Sequence, residues 1–86
     1  MAAQINIMFY YTYVLKSLKD DKLYIGWSNN LKDRLRKHSS RKVVATKDRL
    51  PVKLIYYEAC QNREKAIKRE KFLKSGFGRK FLKDRI

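Results

Sequence analysis

From Phe9 to Ser28 the chain reads Phe-Tyr-Tyr-Thr-Tyr-Val-Leu-Lys-Ser-Leu, then Lys-Asp-Asp-Lys, then Leu-Tyr-Ile-Gly-Trp-Ser. Aromatic and β-branched side chains favour extended backbone, and a charged quartet interrupts them. The pattern therefore predicts a β-hairpin with strands at 9–18 and 23–28 and a turn at 19–22. A two-residue turn centred on Asp20-Asp21 would set Tyr13 opposite Ser28 and Tyr24 opposite Ser17. Tyr13, Leu15, Tyr24 and Gly26 then share one face. Val14, Leu18, Leu23, Ile25 and Trp27 form the other, which reads as the core side.

The rest of the chain supplies covering elements. Asn30 is suited to cap a helix running to about Ser39, with Asp33 favoured near its positive N-terminal end. Leu31, Arg34, Leu35 and His38 fall on one stripe of that helix. Residues 39–51 are polar and basic, contain Pro51, and read as a loop or short helix. Val52 to Glu58 reads as a third strand, with Lys53 and Glu58 tolerated at its ends. Asn62 caps a helix through Ser75, Gly76 is placed to end it in the left-handed conformation, and Phe77, Phe81 and Leu82 predict a last short helix docked on the core. The expected fold is α+β, in the order β-β-α-β-α-α. Eighty-six residues leave room for one domain, assigned to 9–86, after a flexible N-terminus at 1–8.

Charge narrows the function. Lys and Arg number 22 against 8 Asp and Glu, a formal charge of +14. Such an excess calls for a polyanionic partner, and nucleic acid leads because clustered cations gain affinity by releasing counterions from a phosphate backbone. DNA is the expected partner, with RNA also admissible. Lys42, Lys47, Arg49, Lys68, Lys74, Arg79 and Lys80 are the candidate phosphate contacts. An anionic membrane is the lesser alternative, since Glu70 interrupts the best candidate for an amphipathic helix. No stretch approaches the roughly 18 apolar residues of a spanning helix, and the start lacks a basic secretory region, so a cytoplasmic, even nucleoid-associated, protein is expected. Cys60, the one cysteine, permits neither an internal disulfide nor an all-cysteine metal site and reads as a buried or idle thiol.

One residue is out of place. The inward stripe of the helix after Asn62 runs Ala66, Ile67, Glu70, Leu73, so a carboxylate occupies an apolar position. Desolvating it is costly unless it is paired, hydrogen-bonded or bound to a metal. An ion pair with an arginine such as Arg34 is the simpler explanation, and a metal the other. Arg34 and His38 also point inward, and with Tyr13 and Tyr24 they make a constellation beyond ordinary packing.

The segments Tyr11-Thr12-Tyr13 and Tyr24-Ile25-Gly26, ten residues apart, precede Asn30-Leu31-Lys32-Asp33-Arg34 and the distant Glu70. From about Phe9 to Phe81 this pattern resembles the GIY-YIG nuclease domain, closest to small free-standing bacterial members related to the nuclease domain of the excision-repair incision subunit. The resemblance implies a three-stranded antiparallel sheet flanked by about three helices, and a metal-dependent endonuclease acting on DNA, with DNA repair as its setting. It further implies that Tyr13 orients the site, Tyr24 is the proposed general base, Arg34 steadies the phosphate, His38 stands at a His or Tyr position, and Glu70 is the sole metal-binding carboxylate. Two features depart from the pattern. Trp27 replaces a lysine common after the glycine, and no asparagine follows Glu70, so phosphate stabilisation is expected either to be poorer or to come from another cation such as Lys42 or Lys47. Tyr11 in place of the first motif's glycine bears on packing more than chemistry.

The chemistry is admissible. Mg2+ is often held by one or two carboxylates plus water and substrate phosphate, so Glu70 alone suffices for a single Mg2+ or Mn2+ ion. A phenol, with an ordinary pKa near 10, works as a base near neutrality only beside positive charge, which Arg34 and the ion would supply. A histidine, ordinarily near 6.5, could relay the proton or bind phosphate instead, and sequence alone leaves Tyr24 and His38 both open as the base. Substrate choice by strand structure is expected, since no groove-reading motif is present. The alternative function is a non-catalytic nucleic-acid-binding module on the same scaffold.

Overall fold

β1 (Tyr10–Ser17) forms the centre of a three-stranded antiparallel sheet, between β2 (Leu23–Ser28) and β3 (Val52–Cys60). A computed structural model describes residues 8–86, so the flexible N-terminus expected at 1–8 lies, but for Met8, outside the described residues. Helices α1 (Leu31–Ser39), α2 (Arg63–Leu73) and α3 (Gly76–Lys83) complete the order β-β-α-β-α-α.

A central strand is flanked on both edges, and here both faces are covered as well. Thr12, Tyr13, Val14 and Leu15 are all buried, which corrects the expectation of a single core face. Val14 packs with Leu73 of α2 and Leu82 of α3, and Ile25, Ile55, Tyr56 and Phe81 close around them. Thr12 Oγ1 donates to the Ala66 carbonyl at 3.1 Å, fixing α2 against β1. On the opposite face α1 and the segment after it cover Tyr13 and Ser17, whose hydroxyl donates to the Arg49 carbonyl at 2.7 Å.

The hairpin register differs from the expected one by two residues: Tyr13 pairs with Gly26 and Leu15 with Tyr24. The turn is longer than two residues because Ser17 organises it. Its Oγ accepts from the amides of Lys19 and Asp20, Asp20 Oδ1 accepts from Lys22 N, and Asp21 takes a φ of 60°. A shift of two preserves the faces. Leu18 and Leu23, however, lie at the turn and are exposed.

Asn30 caps α1 and Asn62 caps α2, each side chain accepting from the amide three residues on. Gly76 does not end α2. No glycine has positive φ among the described residues, and α2 stops at Leu73 because Ser75 caps α3, its hydroxyl accepting from Gly78 N and donating to the Phe72 carbonyl. A Cβ at Gly78 would run into the backbone of Phe72 and Leu73, so glycine permits the tight corner between the helices. Leu82 and Phe81 dock as expected, whereas Phe77 is 80% exposed. Residues 39–51 beyond the end of α1 form turns, without a helix.

β3 continues past Glu58 to Cys60. Glu58 is tolerated inside the strand because Arg69 Nε donates to it at 2.9 Å and Tyr56 Oη at 2.7 Å, a second clamp on α2. β3 also carries an irregularity opposite Val14 and Leu15: Leu54 pairs with Leu15 and Tyr56 with Val14, leaving Ile55 as an extra residue. Were Ile55 paired with Val14 in an unshifted ladder, Tyr56 would oppose Tyr13; with the shift the partner is Tyr57.

Candidate active site

β2 is an edge strand, so side chains from both sides of the sheet can meet around it. A cavity of about 290 Å³ lies there, lined by Tyr13, Tyr24, Arg34, His38 and Glu70. These five are the candidates expected from sequence for the chemistry. Ile25, Trp27 and Lys74 also border it.

Tyr13 is the hub. Its hydroxyl accepts from Arg34 Nε at 3.3 Å and lies 2.9 Å from His38 Nε2, while His38 Nδ1 lies 2.7 Å from Thr46 Oγ1. His38 is only 4% exposed, and burial, with the Arg34 charge second, holds its pKa below the ordinary 6.5. The imidazole is therefore neutral at neutral pH, with one nitrogen able to accept from a hydroxyl and the other to donate to one. Gly26 makes the arrangement possible: a Cβ there would sit 2.5 Å from Tyr13 Oη. The second motif's glycine thus lets the phenol of the first cross over its backbone.

Tyr24 is half-buried and its hydroxyl has no hydrogen-bond partner among the described residues. It is the phenol the cavity leaves available. Glu70 is 20% exposed and its ion-pair partner is Lys74, one turn on at 3.8 Å, not Arg34 as the simpler explanation supposed.

The expected phosphate contacts are dispersed. Lys42 and Lys47 are exposed on the segment after α1 and are not among the residues lining the cavity. Arg49 pairs with Asp20 at 3.3 Å. Lys68 and Lys80 are exposed, and Arg79 borders a separate groove with Lys22 and Lys74. At the lysine position of the motif, Trp27 carries the Arg63 guanidinium 5.3 Å from its ring centroid, so a cation does stand beside the site. Sequence reasoning missed Arg63 and Thr46. Neither carries a local signal, because each meets its partner only across the fold.

A metal fits this donor set in one way only. Among the described residues no group of three or more His, Cys, Asp or Glu is arranged around a common point, so an all-protein cage is not offered. A hard cation on Glu70, completed by water and substrate phosphate, is compatible with it. No helix among the described residues is long and apolar enough to cross a membrane.

Known proteins resemble this chain in sequence and in fold. The family described as GIY-YIG catalytic domain matches residues 9–83. A UPF0213 protein of Clostridium perfringens is 43% identical over 65 residues, which span 74% of this chain and 69% of that protein. One from Bacillus licheniformis is 41% identical over 66 residues, 76% of this chain and 67% of its own. The solution NMR structure of a UPF0213 protein from Bacillus halodurans, 30% identical, superposes with a TM-score of 0.55 over 90% of this chain and 84% of that one.

Proposed function

The chain belongs to the GIY-YIG catalytic domain family, and on that premise we propose that it is a divalent-metal-dependent endonuclease that hydrolyses DNA and selects its substrate by strand structure. The observation that supports this reading is the meeting of Glu70, from a helix packed on one face of the sheet, with Tyr13, Tyr24, Arg34 and His38 at one cavity. Structural ion pairing alone would not require two phenols and a neutral imidazole at the same place.

In this mechanism Tyr24 acts as the phenolate, its own proton having passed to bulk water, and takes the proton of the attacking water, since no side chain among the described residues engages its oxygen while His38 is held on both nitrogens. Arg34, steadied through Nε by Tyr13, keeps its terminal N–H groups for the non-bridging oxygens of the phosphate. Tyr13, His38 and Thr46 form the line of hydrogen bonds that holds Arg34 in place. Glu70 would hold Mg2+ or Mn2+ in exchange for its contact with Lys74. When bound, that ion supplies Lewis-acid stabilisation of the phosphate and of the departing oxygen. A cytoplasmic role in DNA repair completes the proposal.

The test incubates purified protein with single-stranded, nicked and branched DNA and Mg2+, beside Glu70→Gln. Wild-type cleavage with a loss of about 100-fold or more in the variant is expected; equal cutting by both would overturn the reading. A second reading, a binding module without efficient chemistry, is favoured by Trp27 at the lysine position. Tight, salt-sensitive DNA binding with no cutting in any divalent ion would select it.

A further inference from the structure

Tyr57 lies directly across from Tyr13 on β3, so the two share a face of the sheet, together with Tyr11 two residues before Tyr13. Tyr13 is buried under α1, whereas Tyr57 is 53% exposed. The rings of Tyr11 and Tyr57 stand 6.2 Å apart at 55°, so they do not cover each other face to face. With Leu31 and Leu35 of α1 they line a groove of about 400 Å³, within the range that takes a small organic ligand.

The groove is linked to the candidate active site by shared walls. Asn29 and Asn30 border both it and a cleft containing Trp27, Arg34 and Arg63, and Trp27 and Arg34 in turn border the catalytic cavity. The charge along this route is suited to a phosphate backbone. Asp33 is matched by Lys37 at 3.5 Å, which leaves Arg34, Arg63 and Lys32 in excess. An aromatic floor beyond a cationic cleft provides a flat surface for a base and positive charge for its phosphate. Paired bases offer no free face to such a floor.

We infer that the Tyr11–Tyr57 groove is a stacking subsite for an unpaired base in the DNA strand that enters the cavity, a reading that rests on the nuclease assignment of that cavity. Tyr57 supplies the platform. Asn29, with no hydrogen-bond partner among the described residues, has its amide available for a base edge.

Fluorescence anisotropy with a short labelled single-stranded oligonucleotide and its blunt duplex, both without divalent ion, tests this apart from cleavage. Tyr57→Ala is expected to weaken single-strand binding about tenfold and leave duplex binding nearly unchanged, while Tyr57→Phe retains both. Exposure of the side chain keeps the variants foldable, which circular dichroism checks. Unchanged single-strand affinity in Tyr57→Ala, or an equal loss on both DNAs, would overturn the inference. A failure of Glu70→Gln to alter cleavage would not, because no cutting is measured.

Discussion

The Tyr13 hydroxyl lies 2.9 Å from Nε2 of His38 while accepting from Arg34 at 3.3 Å, so a single buried oxygen connects the guanidinium to the imidazole. Tyr13→Phe removes that oxygen with little change of shape and strands a buried ring nitrogen. We expect a loss of about 1–3 kcal/mol in urea denaturation. Cleavage should fall further than that loss explains, because Arg34 is released as well.

His38 is the only histidine in the chain, and its pKa is lowered by burial. Below pH about 6.5 the unfolded chain takes a proton that the folded chain refuses, so stability is full above this value and declines as the pH falls towards the folded pKa. Thermal unfolding between pH 7.5 and about 5 should show this slope, ahead of the main carboxylate titrations. His38→Gln should flatten it; an unchanged slope would place its origin elsewhere.

Lys74 is 55% exposed, and its pairing with Glu70 at 3.8 Å is an exposed i,i+4 contact that contributes little, about 0.5 kcal/mol or less. Lys74→Met should therefore leave the melting temperature nearly unchanged. It should also lower the Mg2+ concentration giving half-maximal cleavage, since the cation no longer competes for the carboxylate. A raised requirement would instead assign Lys74 to phosphate binding.

Gly26→Ala and Gly78→Ala introduce the same methyl into different surroundings. At Gly26 it meets the Tyr13 phenol, so the ring must shift away from His38, and activity should fall with a stability loss of about 1–3 kcal/mol. At Gly78 the obstacle is backbone, which cannot rotate aside. The larger stability loss is expected there, read by urea denaturation.

Much of this fold is legible locally. Alternating aromatic and β-branched residues mark β1 and β2, and Asn30 and Asn62 mark where α1 and α2 begin, because a cap acts on amides only three residues away. The hairpin register was missed because Ser17 recruits two amides into a longer turn, yet the faces survived since a shift of two keeps side-chain parity. Glu70 was visible as a charge in an apolar stripe. Its partner was not, nor was Thr46 beneath His38 or Arg63 over Trp27, for those contacts depend on how distant segments pack. The end of α2 was misread because Ser75, competing with Gly76, starts a new helix.

Tyr56 and Tyr57 are consecutive in β3 after the extra residue Ile55, and consecutive strand residues face opposite sides of the sheet. Tyr56 turns inward against the packed layer and anchors Glu58, whereas Tyr57 faces outward beside α1. Substrate preference and structural integrity are thus assigned to adjacent letters of the sequence, and either can be revised by evolution or by design without rewriting the other.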